Sequence, residues 1–91
     1  MDELIRTAEW HIKYRMPSGT NIALTSKGTP IQVYQNKYLN KRIESAENMI
    51  KKFRGFDLAI IYAKEPKTGK DLGEIARFDN ETKRLVFSTP L

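Results

Sequence analysis

Between Tyr38 and Arg54 the apolar residues Leu39, Ile43, Ala46, Ile50 and Phe53 recur at steps of four, three, four and three. That spacing marks one face of an α-helix and fits no strand. The helix is predicted over 38–54, with Lys51, Lys52 and Arg54 at its negative C-terminal end, Glu47 and Lys51 as an i,i+4 pair, and Gly55 as the stop. A helix with one apolar face cannot stand alone. The remaining chain must supply a second layer that covers this stripe.

The 91 residues amount to one domain, 1–91. A chain of this size buries only about 60–65% of its unfolded surface. There is no cysteine, which excludes disulfides and thiolate metal sites. The first residues lack a basic segment followed by an apolar run, and the longest apolar run, Leu58 to Ala63, is far shorter than the roughly 20 residues of a membrane span. The expectation is a soluble cytoplasmic protein with no membrane partner.

The net charge is +5, and its distribution is uneven. Residues 35–56 carry six basic side chains against Glu44 and Glu47, a surplus of four, whereas residues 57–91 carry six of each sign. The positive surplus therefore belongs to the helix and favours an anionic partner.

Residues 2–16 support two readings. Leu4, Ile5, Ala8, Ile12 and Met16 share a helical arc behind Asp2 and Glu3, while Trp10, Ile12, Tyr14 and Met16 alternate with His11, Lys13 and Arg15 as in a strand. A short helix over about 2–8 passing into a strand over about 9–16 reconciles them. Pro17-Ser18-Gly19 is turn chemistry, and Asn21 to Ser26 completes a hairpin. Residues 31–35 again admit two readings: a third strand by alternation of Ile31 and Val33, or a helix start at Thr29-Pro30. The strand is preferred, because a helix from Pro30 to Arg54 would be roughly 37 Å long. Asp57–Lys64, Leu72–Phe78 and Lys83–Ser88 read as a three-stranded antiparallel meander, and Pro90 ends the ordered chain.

The fold expectation is α+β: a small single domain with a mostly antiparallel sheet in two hairpin or meander halves. The 38–54 helix packs on one face, and a short N-terminal helix is compatible. The predicted core is Ile43, Ala46, Ile50, Phe53, Leu58, Ile60, Tyr62, Phe78, Leu85 and Phe87. The predicted order of helix, three strands and helix over 2–54 is similar to that of double-stranded-RNA-binding domains. Their glycine-and-lysine signature before the second helix is absent and three more strands follow, so the likeness implies no site residue.

Catalytic constellations are not found. His11, the single histidine, has no serine near it in sequence and reads as a surface residue on a polar strand face. Pro66-Lys67-Thr68-Gly69-Lys70 lacks the first glycine and the hydroxyl residue of a phosphate-binding loop. The acids are scattered, so neither a metal nor a cofactor is expected. The expectation is a non-enzymatic basic binding protein. Lys37, Lys41, Asn48 and Lys52 lie opposite the apolar stripe, with Arg42 and Arg54 at its margins, where they can meet the phosphates of DNA or RNA. Lys13 and Arg15 are the further candidates. The alternative is a protein-interaction module, a small inhibitor or assembly subunit, that binds an acidic partner or forms a homodimer through a sheet edge or the basic helix.

Overall fold

The computed structural model describes residues 2–88, without the side chains of Asp2 and Leu4; the expected stop at Pro90 lies outside the described residues. In chain order the elements are α1 (Asp2–Thr7), β1 (Glu9–Arg15), β2 (Asn21–Ile22), α2 (Leu39–Lys52), β3 (Leu58–Lys64), β4 (Asp71–Asp79) and β5 (Arg84–Phe87). The strands form one sheet of order β2-β1-β3-β4-β5, with every pair antiparallel. The helix and the strand after it thus return the chain beside β1 in the opposite direction. The α+β expectation holds, and the helix packs on one face.

Both ambiguous segments resolve in physical terms. Residue 9 onward is strand, because Trp10, Ile12 and Tyr14 all reach the core only with period-two spacing. The Ile31–Val33 segment lies extended along β1, joined by Ile12 N–H to Ile31 O (2.8 Å) and Val33 N–H to Trp10 O (2.9 Å). Between it and β2, Leu24 and Pro30 bridge across a small side loop. Gly55, with φ of +90°, turns the chain from α2 toward β3 after Phe53 caps the helix.

The core lies between α2 and the sheet face carrying Trp10, Ile12 and Tyr14. The sequence reading of β3 is corrected here. Ala59, Ile61 and Ala63 are the buried set, while Leu58, Ile60 and Tyr62 are half-buried on the opposite face. Small side chains at the sheet centre leave room for the rings arriving from its flanks. Trp10 meets Phe87 at 5.7 Å between centroids, and Tyr14 stacks on Phe53 at 4.1 Å. A register shift that leaves Ile75 unpaired places the sequence neighbours Ile75 and Ala76 both in the interior, and a second shift falls beside Gly73 (φ +97°). Among the described residues no helix lies on the second sheet face, as antiparallel sheets allow. The molecule is accordingly thin, 35 × 30 × 18 Å.

Candidate nucleic-acid interface

Helical spacing puts Lys41, Asn48 and Lys52 on the outward side of α2, all exposed. They line a shallow depression of about 350 Å³ together with Asn36, Glu44 and Met49. Just before the helix, Lys37 holds its ammonium 5.1 Å from the centre of the Tyr38 ring. Tyr38 is 58% exposed and Tyr34 70% exposed, so two aromatic rings stand in solvent near the basic N-terminal end of α2.

Glu47 does not interrupt this face. It is 8% exposed, and its carboxylate accepts the Leu85 N–H at 2.9 Å and the Arg84 Nε–H at 3.3 Å. The expected i,i+4 pairing with Lys51 is replaced by this tie to β5, where a backbone donor on the sheet edge offers a better-fixed partner than a solvated lysine. Glu44 is the one acid left exposed on the helix.

Arg42 is not a surface residue. It is 2% exposed, and its guanidinium donates to the carbonyls of Ile5 (3.1 Å), Ala8 (3.3 Å), Arg6 (2.9 Å) and Asn36 (2.8 and 3.2 Å). Its planar end lies 5.2 Å from the Trp10 ring. These carbonyls belong to the C-terminal end of α1 and the approach to α2, which have unspent acceptors. Burial lowers the guanidinium pKa below the ordinary arginine value, and the group stays cationic at physiological pH. With its donors consumed, Arg42 leaves the set of phosphate-contacting candidates. The sequence did hold a signal. Arg42 lies three residues after Leu39 and four before Ala46, and Glu47 lies four after Ile43 and three before Ile50. Both fall within the buried stripe.

Lys13 and Arg15 lie on the opposite side of the sheet from α2, since they alternate with Trp10, Ile12 and Tyr14. Arg15 is paired with Asp57 at 3.0 Å, and the Lys13 ammonium lies 6.0 Å from the Tyr62 ring centre. Arg77 on this face is held by Glu74 at 2.6 Å. Arg15 and Arg77 are paired here, Lys13 and Lys64 lie beside the Tyr62 ring, and these cations do not continue the helix surface. His11, expected at the surface, is 3% exposed, packed against Tyr62 at 5.4 Å with Nε2 3.3 Å from Glu9. Tyr62 of β3 stacks on it and the Gln32 backbone pairs beside it, which local sequence could not reveal.

Arg54 does join the helix cations. At the C-terminal end of α2 it meets Lys51 and, from the β4–β5 turn, Lys83, around a depression of about 430 Å³. Lys83 was missed by sequence reasoning, because only the fold brings a residue 29 positions beyond Arg54 to its side. None of these three cations forms an ion pair among the described residues. No three metal-ligating side chains cluster among the described residues, and no helix there is long and apolar enough to cross a membrane. Comparison of the chain with protein-family models, curated proteins and solved structures finds no match.

Proposed function

We propose that this is a small non-enzymatic factor of the cytoplasm that binds DNA or RNA through the outer face of α2. The observation that carries the reading is the charge balance of that face. Lys41 and Lys52 are exposed on it, Lys37 is exposed just before the helix and Lys51 and Arg54 at its C-terminal end, while Glu44 is the one exposed acid of α2. Such a surface releases condensed counterions from a phosphate backbone, which drives binding without sequence readout. Asn48, between Lys41 and Lys52, supplies a donor and an acceptor for a sugar or base edge.

The protein-interaction alternative through a sheet edge draws less support. Along β5 the outward Leu85 N–H is already taken by Glu47, and β2 at the other edge is two residues long. An acidic protein partner would have to use the same helix face.

A mobility shift titrated with salt tests the reading. Binding to a short DNA or RNA is expected at about 50 mM salt and should weaken steeply toward about 200 mM. No complex at the lower salt would sink it.

A further inference from the structure

The depression at the C-terminal end of α2 differs in kind from the helix face beside it. Its lining includes the half-buried Phe53 and Phe56, with the buried Phe78 behind them, and the cations Lys51, Arg54 and Lys83. Among the described residues no carboxylate lines it. At about 430 Å³ it falls within the range of small-molecule sites, roughly 300–1,000 Å³, and is too small for a duplex. Phe53 has one ring face on Tyr14 and Phe56 leans against Phe78, so the rings are held in place by the core rather than by a ligand.

An occupant must be flat and apolar where it meets the rings and anionic where it meets the cations. A carboxylate or phosphate deep in the site would face the negative end of the helix dipole. The anion therefore sits on the side-chain cations, and the flat group points inward. The site is also continuous with the basic face. A second hollow, lined by Tyr14, Leu24, Met49, Lys52 and Phe53, shares Lys52 with the helix depression and Phe53 with the aromatic one. A strand lying along Lys41 and Lys52 is thereby led to Phe53 and Phe56.

We propose that this depression takes one unstacked nucleobase of a single strand, its phosphate held by Lys51, Arg54 and Lys83. The protein then prefers single-stranded to duplex nucleic acid, since a paired base cannot enter without leaving its stack. This assignment presupposes nucleic-acid binding by α2. It adds strand preference and a base subsite to that reading.

The experiment is an NMR titration of the whole chain with a thymidine hexamer, with a duplex of matched length, and with inorganic polyphosphate as a charge-only probe. The hexamer is expected to shift the amide signals of Gly55, Phe56 and Lys83 and to move phenylalanine ring protons upfield. Polyphosphate should leave the ring protons in place. Lys83 sits at φ +61°, so Lys83→Gly removes the charge without harming the turn. That variant should bind the hexamer about fivefold more weakly near 0.1 M salt, with a clearly smaller loss for the duplex. Hexamer shifts confined to the Lys41–Lys52 face, or equal losses for hexamer and duplex, would overturn the base subsite while leaving helix-face binding intact. Absence of any nucleic-acid complex would overturn both.

Discussion

Replacing Arg42 tests the claim that a cation on the helix serves the fold rather than a ligand. Arg42→Met keeps the length of the side chain and removes all five hydrogen bonds. The four carbonyls are not equally exposed to the loss. Ile5 O keeps the Trp10 Nε1–H at 2.8 Å, and Ala8 O keeps the Gln35 amide at 3.3 Å. Arg6 O and Asn36 O lose their side-chain donors. Two orphaned acceptors at roughly 1–3 kcal/mol each, less the relief of no longer burying a charge, give about 3 kcal/mol of destabilisation. That is a large share of what a domain of this size holds in reserve, about 5 kcal/mol or somewhat more. In urea, with a slope near 1 kcal/mol/M, the midpoint falls by about 3 M. Arg42→Lys keeps the charge but places three donors at one point, so it should recover only part of the loss. A loss under about 1 kcal/mol for the methionine variant, or weakened nucleic-acid binding at unchanged stability, would refute the structural role.

Further substitutions probe the other assignments. Ile61→Ala should cost about 2–4 kcal/mol by chemical denaturation, and Ile60→Ala under about 1.5 kcal/mol, because only the former faces the core; the reverse order would restore the face first read from the sequence. Burial raises the Tyr14 pKa above its ordinary 10.0, and Tyr62 moves the same way through burial and the nearby Asp71. The folded state thus holds protons that the unfolded chain releases. Their contribution is complete below about pH 10 and is lost as pH rises through the raised folded values. Melting temperatures recorded across that range should fall, and Tyr14→Phe should flatten the fall. Glu47→Ala frees the Leu85 N–H and should cost about 1–3 kcal/mol; light scattering should then show a stronger tendency to associate through β5.

The amphipathic period of α2 was legible because all five stripe residues turn inward or pack against the core. The meander was legible because its turns are short and polar. What the sequence hid was determined by partners distant along the chain. The run L-A-I-I-Y-A is apolar on both faces, so size suggested Leu58, Ile60 and Tyr62 as core. The space above β3, however, is set by rings on β1, α2 and β5. Arg42 and Glu47 were read as surface charge because of their type, although their positions lie on the stripe. Each is buried against backbone groups that local patterning does not show. Of the predicted site residues, Lys41, Asn48 and Lys52 share the outer face of α2, Lys37 and Arg54 are exposed at its two ends, Lys13 and Arg15 lie across the sheet, and Arg42 is inside. Lys83 enters the site from a turn that carried no basic signature.

The central claim is that nucleic acid meets the helix layer and not the open sheet face. Two double variants separate these directly, each measured for oligonucleotide affinity at one salt concentration. Lys41→Ala with Lys52→Ala should weaken binding about 25-fold or more near 0.1 M salt, since each lost phosphate contact costs about five- to eightfold. Lys13→Ala with Arg15→Ala should leave affinity within about twofold, because those cations lie on the far face and Arg15 is paired. Equal losses from the two variants, or no loss from the helix pair, would contradict the account.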